Sequence, residues 1–222
     1  MARRRPWEVD DELWDLIQPL LPRHEPPPER GGRPRVDDRK ALQGILFVLH
    51  TGIQWEFLPQ ELGFGSGMTC WRRLAEWNEA GVWQELQQAL LARLCGAGQP
   101  DFSRAAIDFS HVQAKRGRSH PKVGPSPVDR GRPGSEHHVI TDAHGTPLAV
   151  SLTGGNRHDV TQLLPLLQAI PAVRGRPGRP QSRPRRLYAD RAYDYDRYRS
   201  PVRAMGVTPF IARAGQPHGS GL

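Results

Sequence analysis

Leu13, Leu16, Ile17 and Leu20 recur at the i, i+3, i+4, i+7 spacing of one helix face. Asp10 or Asp11 is placed to cap that helix, and Pro19 to end or kink it. The proline-rich stretch from Pro22 to Pro34 reads as a linker. Asp37 or Asp38 caps a second helix, in which Leu42, Ile45, Leu46 and Leu49 form the same stripe. Phe47 and Val48 add apolar surface on its other side, which marks it as the central, buried helix, and Gly52 is placed to stop it. After the glycine-rich turn at 63–67, a third helix spans about Met68 to Asn78. Trp71, Leu74 and Trp77 are expected inward, and Arg72 and Arg73 outward. Gly81 breaks it, and Val82 to Leu94 forms a fourth, with Leu86, Leu90 and Leu94 at helical spacing. Two helices joined by a turn, with paired arginines, are compatible with a helix-turn-helix and equally with an ordinary bundle whose arginines are solvated.

Gly96-Ala97-Gly98-Gln99-Pro100 marks a boundary between a helical domain, residues 1–98, and a second domain, residues 99–222, where the period changes. Ala105 to Ser110 reads as a buried strand. Glu136–Asp142 and Pro147–Thr153 flank the turn Asp142-Ala143-His144-Gly145 and read as a hairpin. A helix from Val160 to Ile170, an Arg/Pro/Gly linker, a strand at 186–190, a helix from Asp194 to Met205 and a strand at 207–212 complete the order. That order predicts an α/β layer with a hairpin on one side and parallel strands on the other.

Composition narrows the function classes. The 222 residues carry 31 Lys and Arg against 23 Asp and Glu, a formal net charge of +8. Nearly all of the basic residues are arginine, the better phosphate fork, which nominates nucleic acid as partner; a GC-rich coding sequence accounts for part of the excess. The apolar stretches are far shorter than the ~20 residues a membrane span needs. Two cysteines, Cys70 and Cys95, suit reduced thiols in a cytoplasmic protein. A membrane protein, a secreted disulfide scaffold and a zinc finger are excluded.

Asp108 interrupts an apolar strand and Asp190 ends another. If those strands lie side by side, the two carboxylates converge, and Mg²⁺ or Mn²⁺ relieves their repulsion. Such a site can activate water in phosphodiester cleavage. The plainer alternative is a pair of strand-end aspartates capping nearby backbone. Gly32-Arg33-Pro34-Arg35 has the form of an extended minor-groove arginine motif, which adds Arg33 and Arg35 to Arg72 and Arg73 as candidate DNA contacts. His158-Asp159 reads as an element orienting DNA or the metal site, or more simply as a hydrogen-bonded loop anchor.

The words around these residues come in a fixed order: Ala106-Ile107-Asp108-Phe109-Ser110-His111-Val112, Asp129 to Ser135, Ile140-Thr141-Asp142, Gly155-Asn156-Arg157-His158-Asp159, and Tyr188-Ala189-Asp190-Arg191-Ala192-Tyr193-Asp194. Together with Trp55 to Leu58 and Gly65 to Leu74, they closely resemble DDE transposases of bacterial insertion sequences, in the insertion-sequence-five group. The resemblance implies a helical, helix-turn-helix-like DNA-binding domain followed by an RNase H-like mixed sheet with flanking helices. It makes Asp108 the first metal-binding acid and Asp190 the second, with Mg²⁺ or Mn²⁺ as cofactor. The partners implied are double-stranded DNA at element ends and target, bound by a homo-oligomer near the nucleoid. Two departures stand out. The family's third acid is a glutamate on a later helix, and no Glu follows Glu136, so an incomplete catalytic fold is expected. The family also carries a basic residue where Glu136 stands. A rival reading is a non-catalytic protein that occupies element ends and regulates transposition.

Overall fold

The computed structural model describes residues 5–24, 34–114, 122–174, 180–213 and 215–216. The chain divides into two compact units, Met1–Leu90 and Leu91–Leu222, with the division falling inside a helix ahead of the glycine-rich Gly96–Pro100 segment. No helix among the described residues is long and apolar enough to cross a membrane.

In the first unit α1 covers Asp11–Ile17 and is capped by Asp10, whose side chain accepts from the Leu13 N–H. Pro19 then tightens the chain into a 3₁₀ turn, Gln18–Leu20. Helix α2, Asp38–Thr51, starts at Asp37, which caps the Lys40 N–H, and stops at Gly52 in the left-handed conformation. Helix α3 covers Gly67–Glu79 and is capped by Ser66; α4 covers Val82–Gly96. Ile17, Leu42, Ile45, Val48, Cys70, Trp77 and Val82 share one core.

The expected face of α3 differs from the observed one. The buried stripe is Gly67, Cys70, Arg73 and Trp77, so Trp71 is 47% exposed and Arg73 is inside. Close approach is the cause. A Cβ at Gly67 would lie 1.6 Å from the Trp55 carbonyl oxygen, and one at Gly44 of α2 would lie 2.6 Å from Cys70 Sγ. Small residues at 44 and 70 let α2 and α3 meet, and Gly67 lets the start of α3 press against the 3₁₀ turn Trp55–Phe57; together these set the rotation of α3. Trp71 is left beside Leu46, Leu49 and Leu74 on an open apolar groove.

In the second unit β1 (Ala105–Gln113), β2 (Gly124–Pro125), β3 (Pro133–Thr141) and β4 (Pro147–Gly154) precede α5 (Leu163–Ala169). Strand β5 (Arg186–Ala189), helix α6 (Asp196–Ala204) and strand β6 (Thr208–Ile211) follow. The strand order is β2-β3-β1-β5-β6, with β4 also paired to β3. β1, β3 and β4 form an antiparallel meander, and β5 and β6 continue it in parallel with β1. This is the mixed sheet with flanking helices of the RNase H-like expectation. The hairpin turn is tied by Asp142, which accepts from the N–H groups of Asp101, His144 and Thr146.

Alternation along the strands decides what each face carries. Ile107, Ile140, Leu187 and Ile211 pack with Leu163, Leu166 and Leu167 of α5, Val202 of α6, and Leu91 and Cys95 of α4. The opposite face shows Val150, Tyr188 and Phe210 to solvent, the last two ring-stacked at 5.1 Å. Asp108 is on this open face.

Candidate functional site

β1 and β5 run parallel in the register Ala105↔Leu187, Ala106↔Tyr188, Ile107↔Ala189. One residue further, Asp190, just past the carboxyl end of β5, falls opposite Asp108, which lies within β1. Both residues are exposed. Asp108 Oδ1 accepts from the Phe109 N–H, and Asp190 Oδ1 from the Ala192 N–H as cap of the 3₁₀ turn Arg191–Tyr193, each at 2.8 Å. Asp190 thus has the capping role expected of a strand-end aspartate, Asp108 holds the next backbone N–H, and one oxygen of each carboxylate is occupied. Two exposed all-oxygen donors on neighbouring strands are of the chemistry that suits a hard divalent ion such as Mg²⁺ or Mn²⁺, the kind of metal the family uses.

Beneath that pair is a second set of polar groups, of which sequence reasoning singled out Asp159 but missed the burial of Glu136 and His138. Glu136 and His138 occupy alternate positions of β3 on the covered face, with 5% and 0% exposure. Asp159 opens the 3₁₀ turn Asp159–Gln162 after β4. Burial, with the Asp159 carboxylate beside it, pushes the Glu136 carboxyl up to about 7. Burial also lowers the His138 imidazole below its usual value, against the pull of Asp159. The Tyr193 phenol is pushed up by burial and by Asp159, Asp108, Asp190 and Glu136, which puts its hydroxyl within the field of both acid sets. The signal was available: Glu136, His138 and Ile140 share one parity, and Ile140 is core.

His158 Nε2 and the Tyr195 hydroxyl lie 3.0 Å apart with their rings edge to face, the geometry of the loop anchor. Asp194 is committed to Arg199, whose guanidinium also donates to the Ile211 carbonyl.

The four candidate arginines separate. Arg72 is exposed on α3. Arg73, expected outward, is 5% exposed; its guanidinium lies 3.3 Å from Asp38 and 3.4 Å from Glu76, and donates to the Val36 carbonyl. A buried guanidinium so engaged holds α3 to the start of α2, which corrects the expectation of a DNA contact. Arg35 pairs with the same two acids at 3.5 and 3.4 Å. Arg33 lies outside the described residues.

Residues 9–87 match the family described as a putative transposase of the IS4/5 family, and residues 99–217 match the transposase DDE domain. Over 107 residues, 48% of this chain, the sequence is 58% identical to an uncharacterized 16.2 kDa protein of insertion element IS402 from Burkholderia cepacia, 73% of which is covered. It is 60% identical over 102 residues to a putative transposase for IS402 from the same organism; the match takes in 46% of this chain and 48% of that protein. The chain thus spans about half the length of that relative. Among solved structures, a Mos1 transposase paired-end complex with its left transposon end is a distant neighbour, with a TM-score of 0.32 and 13% identity over 85% of this chain and 62% of that one. With a DDE-domain match over more than half of its length, carried by the sheet that bears Asp108 and Asp190, the chain belongs to the insertion-sequence DDE transposases.

Proposed function

We propose that this chain binds duplex DNA at the ends of an insertion element and presents Asp108 and Asp190 as two ligands of the ion used for strand cleavage. The register of β1 and β5 carries this reading, because it brings two acids remote in sequence to neighbouring positions across adjacent strands. A divalent ion bound there supplies Lewis acidity to a phosphodiester and lowers the pKa of its water. The chain's own residues hold position. The Phe109 and Ala192 N–H groups each fix one carboxylate oxygen, which limits the rotamers of both aspartates. Tyr193 is fully buried, with its hydroxyl near enough to feel both carboxylates.

Asp108 and Glu136 are the acids borne by the described strands, and Glu136 faces the covered side. With two carboxylates on the open side, the ion is held loosely, and a loose ion costs orders of magnitude in rate. The favoured reading for these 222 residues is therefore DNA binding without strand cleavage, as in a protein that occupies element ends and regulates transposition. Arg72, exposed on α3, is the contact proposed for the helical unit. The test is fluorescence anisotropy with end-bearing and random duplexes across a salt series. Affinity should fall steeply with salt, since the excess charge is nearly all arginine. Salt-independent or undetectable binding would remove the reading.

A further inference from the structure

We infer that Glu136, His138 and Asp159 form a second cation site, separate from Asp108 and Asp190 and built for a divalent ion of the Zn²⁺ class. One oxygen from each carboxylate and one imidazole nitrogen lie within 4.8 Å of one another. Three donors sharing an ion at about 2.1 Å sit about 3.4–3.6 Å from one another, so side-chain adjustments of about an ångström close the set.

The unpartnered atoms point to a ligand. Among the described residues no group hydrogen-bonds to Glu136 Oε2, His138 Nδ1, Asp159 Oδ1 or the Tyr193 hydroxyl, and all four atoms are buried. His138 Nδ1 stands 3.9 Å from Asp159 Oδ1, and His138 Nε2 stands 4.0 Å from Glu136 Oε2, both too far for a hydrogen bond. Each unsatisfied buried group costs about 1–3 kcal/mol, and more where it is charged. A proton shared by Glu136 and Asp159 satisfies two oxygens and leaves the imidazole unanswered. A divalent ion satisfies both carboxylates and Nδ1 together and cancels their charge.

His138 is already oriented for that role. Its Nε2 lies 2.8 Å from Thr153 Oγ1 on β4, and donation there leaves Nδ1 as a lone pair, the tautomer a metal takes. The mixed nitrogen and oxygen set selects Zn²⁺ over Mg²⁺, which keeps to oxygen and water. Such an ion ties β3 to the turn that leads into α5.

The test uses the 222-residue chain with Asp108→Asn and Asp190→Asn, so that the open-face pair does not compete. The chelator-stripped protein is titrated with Co²⁺, read by visible d–d absorption, and with Zn²⁺, read by thermal unfolding. One Co²⁺ per chain with a nitrogen-containing spectrum is expected, together with a raised midpoint on Zn²⁺. Asp159→Asn should weaken Co²⁺ binding by more than about 100-fold. Glu136→Lys, which places a tethered ammonium where the ion would sit, should show no Zn²⁺ response and a midpoint near that of the loaded parent. Absence of Co²⁺ binding in the parent, or binding unchanged by Asp159→Asn, overturns the site and leaves a proton-sharing carboxyl pair. If Glu136→Lys does not fold, the Asp159→Asn comparison decides.

Discussion

Asp190 stands one residue past the Ile107↔Ala189 register pair, across from Asp108 on the neighbouring parallel strand. The two differ in what else they do. Asp190 caps a 3₁₀ turn through the Ala192 N–H, whereas Asp108 bonds only the N–H of the next residue. Asp190→Ala is therefore expected to cost about 1 kcal/mol of stability, as for a lost cap, and Asp190→Asn much less. Asp108→Asn, at an exposed position, should stay within about 0.5 kcal/mol of the parent. Urea unfolding of the three variants checks the order, and a large loss in Asp108→Asn would show an unrecognised structural role.

Arg72 and Arg73 are adjacent in sequence and opposite in role. Removing the buried Arg73 guanidinium takes one of the two arginine partners from Asp38 and Glu76, and the remaining Arg35 with the partial exposure of those acids tempers the loss to about 1–3 kcal/mol. Arg72→Ala should leave stability within about 0.5 kcal/mol and, if it contacts a phosphate, lower the salt slope of DNA binding by about 1. Equal loss of affinity on end-bearing and random duplexes assigns Arg72 to the backbone, and greater loss on the ends assigns it to base readout.

The contrast shows what sequence made legible. Helices, their aspartate caps and the hairpin follow from spacing, because apolar periodicity reports which positions face a core. Arg73 does not, since its burial depends on the small residues Gly44, Gly67 and Cys70 that set how α3 rotates against α2. Periodicity favours the larger Trp71 and Leu74, while steric fit favours the seam of small side chains. The buried Glu136 and His138 were hidden differently: their strand was legible, yet a charged residue is by default assigned to the solvent face.

The seam itself is testable. Gly44→Ala places a methyl 2.6 Å from Cys70 Sγ and 2.9 Å from Phe64 Cβ, so overpacking should destabilise the helical unit by about 1–3 kcal/mol. A neutral result in chemical denaturation would mean the helices separate more easily than this packing implies.

Burial pushes the Cys70 thiol up to about 11, from an ordinary value near 9. The unfolded chain therefore gives up this proton first. The stabilisation is complete below about pH 9 and is lost as pH rises toward 11. Denaturation midpoints between pH 8 and 10.5 should fall more in the parent than in Cys70→Ala. Native Cys70 should also resist iodoacetamide at pH 8; rapid labelling without unfolding would contradict its burial.

Strand cleavage by these 222 residues is expected to be undetectable on element ends with Mg²⁺ or Mn²⁺. Cleavage by the chain alone, abolished by Asp108→Ala, would show that two carboxylates suffice.

The most direct measurement is anomalous diffraction from crystals of the chain soaked in Mn²⁺. Asp108 and Asp190 are expected to bond one Mn²⁺ between them, each through the carboxylate oxygen not held by the Phe109 or Ala192 N–H. An Mn²⁺ bound to only one of the two, or carboxylates turned apart with no ion at either, would contradict a shared metal site.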